Sequence, residues 1–259
     1  MSAGGFRPSA PLLEHLVNFE RWIVLAALAM VAALGLFATL RLGDMLMMPV
    51  GWIGSPIAQP ILLFIMWWTM MMAMMLPSAA PAILTYGALR RKFLEQGASV
   101  APLAIFALGY GAIWTGFSVA AVALHLVLSP VVSMSMMMAI TSGAIGGGLL
   151  IAAGLYQMSP LKAACLRKCQ MPLFFLANNW RSGNGGAFRM GLSHGLYCLG
   201  CCWVLMALLF YGGVMELRWI VGLAIYVAAE KMIPTGNWHS RFAGLLLIAW
   251  GVWKIYQIT

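Results

Sequence analysis

Long apolar segments separated by short polar loops run through almost the whole chain. Each strong segment is close to the ~20 residues that a helix needs to cross a bilayer. None shows the stretches of ~10 residues with alternating apolar and polar side chains that are typical of a membrane β-barrel. The pattern predicts an all-α fold, a polytopic transmembrane helix bundle with about seven spans. We expect these spans at 22–40, 61–84, 101–128, 136–158, 191–212, 219–229 and 242–258.

Composition supports the same interpretation. Of the 259 residues, 63% are hydrophobic and only 8% are charged, whereas about a quarter of the residues in soluble domains are charged. A chain with so few charges cannot maintain a surface facing water, so lipid must cover it. We expect one integral membrane domain over 1–259, with 1–21 as a cytoplasmic tail and 22–258 as the bundle. No segment is polar enough to form a nucleic-acid module.

The distribution of Lys and Arg predicts the orientation. With the N-terminus inside the cell, twelve of these residues fall on the cytoplasmic side, and only Arg41, Arg218 and Lys254 fall outside. Cytoplasmic loops of membrane proteins carry an excess of Lys and Arg. We therefore expect a cytoplasmic N-terminus and an external C-terminus. Glu230 and Lys231, at the end of the sixth segment, are expected at the interface.

Methionine supplies the first candidate chemistry, because the chain contains 21 of these residues. In the second segment Met66, Met70 and Met74 are four apart and lie on one helix face, and Met71 and Met75 form an adjacent row. Thioethers are soft, uncharged ligands that suit copper(I). The alternative is that methionine only fills irregular gaps in the apolar core.

A second methionine cluster, Met45, Met47 and Met48, follows the first segment. The predicted orientation places it outside the cytoplasm, where it could capture copper(I). We favour the simpler interpretation of an interfacial loop that dips into lipid.

The fifth segment carries the most specific pattern. At ~100° per residue, His194, Cys198 and Cys201 fall within roughly 60° of one another, and Cys202 lies ~40° further round. One imidazole with two or three thiols is a soft-metal ligand set, which favours copper(I) and leaves zinc possible. The alternative is that the cysteines are small buried hydrophobic residues. If metal binds, Met70 and Met74 of the second segment are the expected neighbours.

Cys165 and Cys169 form a third candidate site between the fourth and fifth segments. Ser159 and Pro160 are a favourable N-cap and first residue for a short cytoplasmic interfacial helix near 160–170. That helix would place the two thiols on one face. Basic neighbours favour thiolate, and we expect the loop to be exposed to water. Both features should make these thiols more reactive than those of the fifth segment. The pair could pass metal, act as a redox pair, or be inert.

Small residues in the fourth segment predict close helix packing. Gly143 and Gly147 are four apart, and such a row lets two helix backbones approach each other.

These motifs together resemble a bacterial family of predicted metal-binding integral membrane proteins, a domain of unknown function. The resemblance is carried by three motifs: Met-Met-Ala-Met-Met-Leu-Pro-Ser at 71–78, Tyr156-Gln157 through Pro160-Leu161-Lys162 to Cys165 and Cys169, and His194-Gly195 through Cys198, Gly200, Cys201 and Cys202 to Trp203. Some members carry the label of copper chaperone. The resemblance implies metal binding and a location in the bacterial cell inner membrane, but no reaction.

Three functions remain open at this point. The first is a copper(I)-handling membrane protein, a chaperone or carrier, with a membrane cuproenzyme or a soluble copper chaperone as its partner. The second is an enzyme, a thiol-disulfide or quinone-linked redox protein. The third is a scaffold or assembly subunit in which Met and Cys only pack. The sequence has no paired carboxylates and no phosphate loop, so catalysis has little support.

Overall fold

A computed structural model describes residues 58–97, 99–133, 135, 138–233 and 238–258, with isolated helical residues between 26 and 41. This part of the chain is almost entirely helical, which confirms the all-α prediction. The predicted first span and the Met45–Met48 cluster lie largely or wholly outside the described residues. The helices are α1 Ala58–Ser78, α2 Ala80–Glu95, α3 Leu103–Leu128, α4 Gly143–Gln157, α5 Pro160–Gln170, α6 Pro172–Asn178, α7 Gly183–Ala207, α8 Leu209–Gly212, α9 Leu217–Met232 and α10 Trp238–Tyr256.

Three of the described stretches are long and apolar enough to cross a membrane, namely α1, α3 and the continuous α7–α8 stretch Gly183–Gly212. A fourth candidate is the pair α4 and α5, which is bent by 62° and has the shape of a broken span or a re-entrant loop. Helices α9 and α10 occupy the predicted sixth and seventh segments. The described residues thus support three spans, or four with the bent pair, rather than the full predicted number.

The predicted second span, 61–84, is wrong as one continuous helix. Helix α1 ends at Ser78, and α2 begins at Ala80 with a proline in its first turn. Proline has no backbone N–H and is tolerated in the first turn, so Pro81 is compatible with a new helix that starts here. The Ser78 hydroxyl donates to the Met75 carbonyl at 2.8 Å. The break therefore places the polar side chain of Ser78 at a buried turn between α1 and α2.

The predicted fourth span, 136–158, also begins too early. Helix α4 starts at Gly143, after the Ser142 side chain accepts a hydrogen bond from the Ile145 amide. At its other end, Ser159 caps α5 by accepting from the Lys162 amide, as predicted. A serine at each N-cap satisfies backbone donors that the helix itself leaves open.

Glycines set the closest helix contacts. Helices α3 and α7 run parallel, and a Cβ at Gly109 or Gly191 would collide with backbone of the other helix. Helix α4 packs against α10 in the same manner, where a Cβ at Gly147 would lie 2.9 Å from the Gly251 carbonyl oxygen. Small residues at a crossing let two backbones touch. The close packing predicted for the Gly143–Gly147 row is therefore confirmed.

The remaining contacts bring four helices around the middle of α7. Helix α7 packs on α3 and α5, while α1 packs on α3 and α9. The inner faces of α1, α3, α5, α7 and α9 therefore meet in one region, where the candidate site lies.

Candidate functional site

Sulfur atoms from α1 and α7 converge inside the bundle. Cys198, Cys201 and Cys202 of α7 are at most 2% exposed, and Met75 of α1 is fully buried. The Cys202 Sγ lies 4.0 Å from the Met75 Sδ. The second and fifth segments therefore approach each other as predicted, but Met75 is not one of the two methionines that were expected as neighbours. Tyr110 of α3 joins them, because its hydroxyl donates to the Met75 carbonyl at 2.8 Å and lies 3.1 Å from the Cys198 Sγ.

Local hydrogen bonds hold two of these thiols on the inner face of α7. The Cys201 and Cys202 thiols donate to the Cys198 carbonyl at 3.0 and 2.9 Å. These are bonds to the preceding helix turn, which serine and threonine also make. They are weak, so the two sulfurs can turn toward a ligand at little energetic cost.

Helix α5 adds a further thiol to this group. Cys169 is only 6% exposed and lies on the face of α5 that packs on α7, the helix that carries Cys201. Cys165, one turn earlier, is half-buried, and its sulfur lies against Gly200 of α7. The expectation that Cys169 lies in a wet loop is therefore wrong, because the non-polar face of α5 packs on α7. The two cysteine clusters of the sequence form one cluster in space.

A buried lysine completes the site. Lys231 of α9 is 5% exposed, and its ammonium group donates to the Cys198 sulfur at 2.9 Å and the Ser78 hydroxyl at 2.8 Å. Lys231 therefore faces the interior of the protein, and its predicted position at the membrane interface stays a prediction. A charge at the end of an apolar helix marks a candidate functional residue, but the sequence does not tell which helix it faces. At this distance the ammonium attracts any negative charge that forms on sulfur.

Glu230, the neighbouring residue, belongs to a separate buried network. Its carboxylate forms an ion pair with Lys162 of α5, with N–O distances of 2.7 Å to both oxygens. It also accepts hydrogen bonds from Tyr226 at 2.7 Å and Ser240 at 2.6 Å. Gln157 accepts a hydrogen bond from the same lysine. This network joins α4, α5, α9 and α10, so it fixes the position of α5 and hence of Cys169.

His194 lies one turn before Cys198, in an aromatic environment. Its ring centroid is 6.2, 5.9 and 5.6 Å from those of Phe106, Tyr110 and Phe175, and its Nδ1 has no hydrogen-bond partner. In the described part of the chain, no group of three His, Cys, Asp or Glu is arranged to hold a metal ion. The predicted methionines Met70, Met71 and Met74 are buried inside the protein.

The side chains gathered here are of the kind that soft cations prefer as ligands. Thiolates and a thioether select copper(I) among the biological metals, and copper(I) accepts two or three sulfur ligands. A structural zinc site requires four ligands in a tetrahedron. The thiols and Met75 are thus of the ligand types that copper(I) prefers, and the described residues give zinc no support.

Fold and site together define a class, a helical protein with several helices long and apolar enough to cross a membrane and with a buried thiol–thioether cluster. The chain belongs to the PpoB2 family, which is described as a copper chaperone, and the match covers residues 64–254. This range includes every sulfur of the cluster. It also confirms the resemblance inferred from the sequence motifs. No curated protein and no solved structure matches the chain.

Proposed function

We propose that the chain is a membrane copper chaperone or carrier that binds copper(I) at the sulfur cluster of Cys169, Cys198, Cys201, Cys202 and Met75. The observation that carries the proposal is the meeting of three helices at this cluster, with Cys202 and Met75 sulfurs 4.0 Å apart. The cluster is buried, so bound copper(I) would be kept from water and oxidants. His194 is a further candidate ligand if its ring turns toward Cys198.

The positive charge of Lys231 favours a copper(I) complex with two thiolate ligands. Copper(I) bound by two thiolates carries one negative charge, which is unfavourable in a buried site. The ammonium group, 2.9 Å from the Cys198 sulfur, would neutralise it. A buried complex of copper(I), two thiolates and one ammonium group has no net charge.

Titration of the purified chain with copper(I) against a chromophoric chelator tests the function. We expect tight binding and an X-ray absorption spectrum with sulfur as the nearest neighbour. Met75→Leu should weaken binding by about tenfold, or ~1.4 kcal/mol, because it removes one soft ligand without changing the apolar volume.

Met72→Leu is the matched control, because Met72 lies on the same helix and lines an apolar groove with Trp68 and Leu108 instead. Its affinity should equal that of the wild type. Absence of copper(I) binding by the wild type, or nitrogen and oxygen neighbours alone in the spectrum, contradicts the proposal. A metal-free chain with a reversible disulfide would favour the redox alternative.

We further propose that the protein lies in the bacterial inner membrane with seven spans and a cytoplasmic N-terminus. The twelve-to-three distribution of Lys and Arg supports this orientation. Reporter fusions after Lys92 and at Thr259 test it. We expect the first fusion inside and the second outside, and both on one side would refute the seven-span count.

A further inference from the structure

We propose that Cys165 is the residue at which copper(I) first binds, and that the ion moves from there to Cys169 and Cys201 and then to the inner sulfurs. This inference rests on the proposed function and adds a route to it. The cysteines form a series of decreasing exposure. Cys165 is half-buried, Cys169 is 6% exposed, Cys201 is 2% exposed and Cys198 is 1% exposed.

Cys165 lies at the border between the outer and inner faces of α5. Its neighbours Ala164, Arg167 and Lys168 are exposed, while Leu166 and Cys169 are buried. A copper(I) donor can therefore reach Cys165 without unfolding the bundle. The two cationic neighbours would also attract an anionic donor complex.

Gly200 gives the Cys165 sulfur its place against α7. A Cβ at Gly200 would lie 2.8 Å from this sulfur, so any larger residue would displace the sulfur from its present position. Tyr156 donates a hydrogen bond from its hydroxyl to the Gly200 carbonyl, which holds this turn of α7 toward α4. Cys201 follows Gly200 in α7, so the half-buried sulfur contacts this helix one residue before a buried thiol.

The transfer is a ligand exchange with no change in oxidation state. A copper–sulfur bond forms to the Cys169 or Cys201 sulfur while the bond to the Cys165 sulfur breaks, through a three-coordinate intermediate. The entering thiol releases its proton, and the departing thiolate takes up a proton. Copper remains copper(I) throughout, so no oxidant or reductant is needed.

The test is the rate at which the purified full-length chain takes copper(I) from a chromophoric copper(I)–chelator complex, measured by stopped-flow absorbance. Cys165→Ser should slow the transfer by about tenfold and leave the equilibrium affinity unchanged. Gly200→Ala should slow it as well, because the new methyl group displaces the Cys165 sulfur while every cysteine is retained.

Gly222→Ala is the matched control, since a Cβ at this exposed position of α9 meets no atom within 4 Å. Its rate should equal that of the wild type. An unchanged rate in both Cys165→Ser and Gly200→Ala overturns the route but leaves the function intact. A fall in equilibrium affinity in Cys165→Ser overturns it too, because Cys165 would then be a permanent ligand. A wild-type chain that binds no copper(I) overturns the function and the route together.

Discussion

Replacing Lys231 by Met is expected to weaken copper(I) binding by about a hundredfold or more, equivalent to ~2.7 kcal/mol. The substitution keeps the length of the side chain but removes the charge 2.9 Å from the Cys198 sulfur. A bis-thiolate copper(I) complex would then leave an uncompensated negative charge in a buried site. At an effective dielectric constant near 20, one opposite charge within about 4 Å contributes roughly 4 kcal/mol. Competition with a chromophoric copper(I) chelator measures the change.

Lys92→Met is the control for this substitution. Lys92 is exposed in the last turn of α2, so its loss should leave the affinity unchanged. The metal-free Lys231→Met chain should fold, because neutral thiols and a methionine are compatible with a buried cluster. Equal or tighter copper(I) binding in Lys231→Met would show that the bound ion has a single thiolate, and the neutral-complex argument would fail.

The second large effect is expected on the free energy of unfolding. Glu230→Gln removes the carboxylate that pairs with Lys162 at 2.7 Å, where both side chains are at most 4% exposed. Removal of one partner from a buried ion pair typically destabilises a protein by about 3–5 kcal/mol, because the other charge stays buried and unpaired. We therefore expect a large loss of unfolding free energy in detergent, or failure to accumulate folded protein. Copper(I) binding should weaken in parallel, because α5 carries Cys169.

Two further variants make this test specific. Lys162→Met combined with Glu230→Gln removes both charges, so it should recover most of the stability that Glu230→Gln loses. Glu216→Gln breaks an ion pair with Arg218 that is exposed on the arginine side, and exposed pairs contribute little. If Glu230→Gln and Glu216→Gln unfold at the same denaturant concentration, the buried network does not stabilise α5.

The chemistry of the site could be predicted from the sequence to a useful extent. Cys198, Cys201 and Cys202 share a helix face because the helical period places them there. The second segment does supply a thioether beside them, but from Met75 and not from the two methionines expected as neighbours. The cap at Ser159 and the close packing of Gly147 followed from local rules about helix ends and small residues. These features depend on neighbours within one helix, which the sequence displays directly.

The partners of the buried charged residues and the break after Ser78 could not be predicted from the sequence. Lys231 and Glu230 are adjacent in the chain, yet one faces the thiols and the other faces α5, and the sequence shows only that both end an apolar segment. The break after Ser78 was missed because Pro77 and Pro81 lie within a long apolar run, where hydrophobicity outweighed the proline signal. Hydrophobicity along the chain reports burial but not the partner that provides it.

The sequence by itself determined the helical class, the long apolar segments and the shared face of the α7 cysteines, because composition and periodicity are local properties. The tertiary structure decided that Cys169 joins the cysteines of α7, since the 62° bend after α4 folds α5 back onto that helix. It also decided that the ammonium group of Lys231 lies beside the thiols, because the contact of α9 with α1 turns this side chain inward. Both outcomes depend on contacts between residues far apart in the chain, and no local pattern encodes those contacts.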